Sequence, residues 1–184
     1  MTGVKSDTLS LEKRTGLPDA LRVLAQDFPR DMWREHPNFA GLVQFWMQRH
    51  MMFRELTGRL RDDARKLSDK RIDFADYAPR LSRYGSTLLN ELHGHHQIED
   101  HHYFPHLVGL DNRISRGFDL LETDHEAMDG LLHELAERAN QVLKTGKPGD
   151  FPERLGHFSA LLERHLTDEE DIVVPVILKS GFTG

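Results

Sequence analysis

There is no cysteine among the 184 residues, which excludes disulfides, thiolate metal sites, iron–sulfur clusters and thiol catalysis. Nor does any apolar run approach the ~18 residues of a membrane span. Residues 1–16 are polar and mixed in charge, without the apolar stretch of a signal peptide, so the expectation is a cytoplasmic protein that does not engage a membrane. Basic patches are missing too. The formal net charge is −6 with both signs interspersed, which makes nucleic acid an unexpected partner. Strand-like alternation is scarce: Ile172 to Ile177 is apolar and β-branched, but too short and isolated to build a sheet.

What is present is helical periodicity. A composition of 38% hydrophobic and 29% charged residues speaks against disorder. Residues 1–16 read as a flexible tail, and 17–184 as one domain. From Pro18, the series Leu21, Leu24, Ala25 and Phe28 suggests a short amphipathic helix stopped near Pro29. Pro37 suits the first turn of a long helix reaching about Leu67, because a helix start has no partner for the N–H that proline lacks. A second starts between Asp73 and Pro79 and is expected to end near Pro105, since proline biases its predecessor away from helical geometry. A third covers roughly 114–144, up to the break Thr145-Gly146-Lys147-Pro148-Gly149. A fourth runs from about Phe151 and bends or stops at Pro175. Four long helices joined by short turns predict an all-α, antiparallel up-down four-helix bundle with a short additional N-terminal helix.

Histidine is abundant, with twelve residues, and one device is written twice. His95-x-x-x-Glu99-Asp100 leads to Pro105, and His165-x-x-x-Glu169-Glu170 leads to Pro175, every element at one constant offset. A His and a Glu four apart share one helix face. The repeat extends further. His50 heads the series Phe53, Leu56, Leu60, and His125 heads Met128, Leu131, Leu135 with identical increments. Two helical hairpins, each bringing two imidazoles and one carboxylate to the bundle axis, would assemble His50, His95, Glu99, His125, His165 and Glu169. Two divalent ions want such a set, because carboxylates can bridge cations held about 3.5–4 Å apart. Nitrogen and oxygen donors without thiolate suit iron, and next manganese or zinc.

With those residues in view, the chain resembles the hemerythrin-like, His-His-Glu cation-binding family over roughly residues 37–178. The resemblance implies a four-helix bundle enclosing a non-haem di-iron centre, with the same six residues as ligands. It also implies a small diatomic molecule or peroxide as partner: oxygen, nitric oxide or peroxide, or iron itself, would be handled or sensed. Two departures stand out. Oxygen-carrying members have a second His four residues after the third-helix His, where this chain has Asp129. They also take the last bridging acid five residues after the fourth-helix His, which selects Glu170, whereas the internal repeat favours Glu169. His96 and Asp129 are the candidate additional ligands.

Other readings remain open at this level. A single His heading an apolar stripe is often a packed core residue, and an i,i+4 His–Glu pair can be a surface contact. A di-iron enzyme that reduces peroxide or activates oxygen is one alternative, and a helical interaction module with a structural metal is another. Ferritin-like sites use Glu-x-x-His, a motif that Glu99/His102 and Glu122/His125 also satisfy.

Overall fold

In the computed structural model, which describes residues 8–184, the four long apolar stripes fold into four long helices: α1 (Leu42–Ser68), α2 (Phe74–Ile98), α3 (Ser115–Thr145) and α4 (Phe151–Ser180). No strand occurs among the described residues. The stripe of α1 shows the rule. Val43, Trp46, His50, Phe53, Leu56, Leu60 and Ala64 are buried and recur three or four residues apart, so they form one face of a 3.6-residue helix. α1 packs against α2 and α4, and α3 against the same two, which closes the antiparallel bundle. None of these helices is long and apolar enough to cross a membrane.

The helix ends differ from the sequence expectation in instructive ways. α1 begins at Leu42 rather than near Pro37, after Gly41 at φ +84°, a conformation that residues with a Cβ rarely adopt. α2 does not stop near Pro105. It widens into a π-helical stretch, Glu99–Tyr103, and resumes as an α-turn over Phe104–Leu107 with Pro105 in its first positions. Proline lacks an N–H and crowds the carbonyl four residues back; the wider turn ahead of it relieves both problems. α4 runs straight through Pro175. Ile172, Val173, Val174, Val176, Ile177 and Leu178 around it are all buried, and packing of that order outweighs one missing backbone hydrogen bond.

The N-terminal helix is built as three short 3-10 segments, Asp19–Leu21, Val23–Ala25 and Arg30–Glu35. Arg22, at φ −129° and ψ 41°, interrupts what would otherwise be a continuous helix. Leu17, Leu21, Leu24 and Trp33 are nevertheless buried against the bundle. At the crossing, a Cβ on Gly117 would lie 3.0 Å from the Leu21 carbonyl oxygen and 3.0 Å from Ile172 Cδ1, so only glycine admits this close approach. The expected tail needs correction over its described part. Leu11 joins the apolar core and the Arg14 side chain is 1% exposed, while residues 1–7 lie outside the described residues.

The apolar interior is split in two. One half holds Phe53, Leu88, Leu92, Met128 and Leu162; the other holds Trp46, Phe104, Phe118, Leu121 and Ile172. His50, His95 and His125 fall between these halves along their helices, His165 stands beside Leu166 at the edge of the first half, and all four are buried. A layer of buried polar groups across a bundle core is costly unless something satisfies it.

Candidate metal centre

Seven buried side chains form that layer: His50 from α1, His95, His96 and Glu99 from α2 and its π turn, His125 from α3, and His165 and Glu169 from α4. They fall into two groups, His50/His95/Glu99/Glu169 and His96/His125/His165, with the donor atoms of each group within 4.8 Å of one another. The carboxylates join the groups. Glu99 places Oε1 2.8 Å from His95 Nε2 and Oε2 3.5 Å from His125 Nε2. Glu169 Oε2 stands 3.4 Å from His50 Nε2 and 3.6 Å from His165 Nε2. Each acid therefore faces one imidazole from either group.

The imidazoles are held from behind by other carboxylates. His50 Nδ1 donates to Glu170 Oε1 at 2.9 Å, His125 Nδ1 to Asp100 Oδ1 at 2.6 Å, and His165 Nδ1 to Asp124 Oδ2 at 3.2 Å. With the proton assigned to Nδ1, each Nε2 turns a lone pair toward the centre, the tautomer a metal ligand needs. His50 Nε2, an acceptor in that tautomer, lies 3.2 Å from His95 Nε2, whose proton would have to leave that nitrogen for both to face a cation. Arg14 donates to both oxygens of Asp124 and, through Nε at 2.7 Å, to Asp168. Trp46 Nε1 donates to Glu169 Oε1 at 2.7 Å and fixes that acid's rotation.

The fit to a cation rests on what is left over. Both oxygens of Glu99, Glu169 Oε2, His125 Nε2, His165 Nε2 and both ring nitrogens of His96 are buried without a hydrogen-bond partner. Buried polar atoms normally have one, and here nearly all the orphans belong to groups that bind metal. Titration behaviour follows. Burial pushes the Glu99 carboxyl well above the ordinary range, and burial, then the neighbouring Glu99 charge, takes Glu169 to about 8. Burial also lowers His95 and His165 to about 4, and His96 well below its usual value. Without a cation, burial favours the neutral forms of His95, His96 and His165 and the protonated forms of Glu99 and Glu169. Neutral imidazoles need lose no proton to bind a metal; the acids would release theirs.

All six residues singled out by the repeat are brought together. His96 joins them, and Asp129 does not: its side chain is 42% exposed and pairs with His93 at 3.2 Å. Glu170 is buried but turns away from Glu169, onto His50, Arg54 Nη1 at 2.8 Å and Arg30 Nη1 at 2.7 Å. Although burial works against it, the bonds and charges of His50 and Arg54 hold the Glu170 carboxyl down at about 2. The Glu-x-x-His alternative does not assemble, because His102 and Glu122 are exposed. Sequence reasoning missed the roles of Arg14, Trp46, Asp100 and Asp124. It also left His96 outside the main set, since the repeat places Leu166 opposite it; the signal was that His96 continues the buried stripe Leu88–Leu92.

A model of the hemerythrin HHE cation-binding domain matches residues 41–177. The chain belongs to this hemerythrin family. The match covers α1 to α3, most of α4 and all seven residues of the layer, whose two groups could each hold a metal ion. No curated protein and no solved structure gives a significant match.

Proposed function

We propose that this hemerythrin-family protein is a dinuclear, non-haem iron protein of the cytoplasm that binds or senses oxygen, nitric oxide or peroxide. The observation that carries the reading is the pair of buried acids, each facing an imidazole of both groups. In this reading His96, His125 and His165 would hold one ion and His50 and His95 the other, with Glu99 and Glu169, which each face both groups, available to both. Two iron ions bound there would supply paired redox equivalents and positions open to a small oxygen or nitrogen ligand.

The remaining work falls to the chain. Glu170, Asp100 and Asp124 orient three imidazoles, and Trp46 orients Glu169. The apolar halves on either side exclude water, which strengthens every electrostatic contact between them. The His50/His95 group supplies two imidazoles against three, and it lies beside a cavity lined in part by His95 and Glu99. That side is the entry for a ligand. Manganese and zinc satisfy the same donors, so metal identity is a separate measurement. Protein purified without chelator and loaded anaerobically with ferrous iron is expected to hold two irons per chain, with an absorption spectrum that changes on air or nitric oxide. A folded chain that takes up less than one ion of iron, manganese or zinc contradicts the proposal.

A further inference from the structure

The cavity beside the metal layer is too large for the ligands just named. It has a volume of about 320 Å³, whereas one water occupies roughly 30 Å³ in the liquid, and a diatomic molecule or peroxide is of similar size. Its volume instead falls at the lower end of the range, roughly 300–1,000 Å³, of pockets that take organic molecules. Phe45, Trp46, Ile98 and Tyr103 make the walls, and His95 and Glu99 contribute to its lining. Phe45 and Ile98 are each 55% exposed and stand among the few large apolar side chains the surface leaves in water. Two of them at the rim of one cavity, over buried metal-ligating atoms, make a mouth that favours hydrocarbon.

Charge narrows the ligand class. Arg49 is the one cation in the lining. Its Nη2 donates to Glu91 Oε2 at 2.7 Å, while Nε and Nη1 donate to no acceptor among the described residues. Its position is held by α1 and by the Phe53 ring, 5.5 Å from the guanidinium. A guanidinium with two nitrogens to spare favours a carboxylate, and an ion with an open position would favour an anionic oxygen too.

We propose that this cavity binds a small organic acid, an aromatic or branched aliphatic carboxylate of about benzoate size. Its hydrocarbon lies against Phe45, Trp46 and Ile98, and its carboxylate lies toward Arg49 and the His50/His95 group. The metal-facing half of this contact rests on the dinuclear reading above; the hydrocarbon and Arg49 half does not.

The test titrates benzoate, benzamide and acetate, by calorimetry, into metal-free and zinc-loaded protein. Zinc removes redox chemistry from the readout. Zinc-loaded protein is expected to bind benzoate at least tenfold tighter than either acetate or benzamide, with a negative heat-capacity change from apolar burial. Ile98→Trp fills the mouth from an exposed position and is expected to weaken benzoate tenfold at unchanged zinc content. Arg49→Gln is expected to narrow the gap between benzoate and benzamide. Equal affinities for benzoate and acetate, or an Ile98→Trp variant that binds benzoate as the parent does, would overturn the proposal. If the chain holds no metal and still prefers benzoate to benzamide through Arg49, the dinuclear reading fails and the acid site stands. If zinc binds and benzoate does not, the reverse holds.

Discussion

Glu169 and Glu170 show how much one residue of helical phase decides. Adjacent side chains on a helix diverge by about 100°, so only one of the two can face the metal layer. Glu169 does, with Oε2 within 3.6 Å of two imidazoles, and Glu170 turns back to brace His50 between two arginines. Glu169→Ala is therefore expected to reduce bound metal to one ion or fewer. Glu170→Ala should keep both sites and lose about 10–100-fold in affinity, the usual effect of removing a group that orients a ligand. Metal titration of the two variants separates these outcomes, and the opposite ranking would assign the bridge to Glu170. His96→Leu, which installs the residue that the repeat carries at Leu166, should cost the ion of the three-histidine group while the fold persists. Retention of two ions by that variant would remove His96 from the ligand set.

The same residues set a pH dependence for metal-free protein. His95 and His165 fall to about 4 from an ordinary 6.5, so the unfolded chain binds protons first and stability is lost as pH falls from about 6.5 toward 4. Glu169 rises to about 8 from 4.5, so its contribution is full below 4.5 and lost as pH rises through 8. Between pH 4.5 and 6.5 two histidine gains outweigh one glutamate loss, so metal-free protein should be most stable near pH 6.5. A bound cation offsets the carboxylate charge, so loading should abolish the alkaline loss. Melting temperatures of both forms from pH 4 to 9 check this, and parallel curves would contradict it.

At the scale of elements, most of the bundle was legible and its punctuation was not. Apolar stripes three and four residues apart mark α1 to α4 because periodicity is a local property of sequence. Proline suggests a stop at Pro105 and a bend or stop at Pro175, yet both sit within helical runs, because burial of the flanking residues is a tertiary fact that local reading cannot weigh. Arg14 is the same lesson in a loop. Its neighbours look like a polar tail, but its guanidinium is 1% exposed between Asp124 and Asp168, and Asp124 in turn holds His165. Nothing local announces a partner on α3 or α4. Removing one member of a buried ion pair typically costs about 3–5 kcal/mol, so Arg14→Leu should lower stability by that order. It should also speed metal loss, because Asp124 loses its anchor. Arg14→Lys, which keeps the charge, should recover part of both effects. Chemical denaturation and the rate of metal transfer to a chelator measure the two separately. A variant with unchanged stability would show that the N-terminal segment merely rests on the bundle.

For the whole molecule, the governing feature is a polar layer that divides the core. The apolar halves on either side would close on themselves if the layer were leucine, as the i,i+3/i+4 stripes run straight through it. Instead the bundle keeps seven buried donor residues there, several of their atoms without partners. The sequence disclosed this through a repeated His-x-x-x-Glu, because a symmetric site leaves a symmetric trace. It concealed His96, Arg14 and Asp124, because those break the symmetry; Asp100 keeps it as the counterpart of Glu170, and only its bracing of His125 went unread. The most direct test of the account is anomalous diffraction from iron-loaded crystals, collected on both sides of the iron edge. Two iron peaks about 3.5–4 Å apart, one beside His50 and His95 and the other beside His96, His125 and His165, with Glu99 and Glu169 between them, are the result the account predicts. A single peak, or two peaks that leave either glutamate unbound, would contradict it.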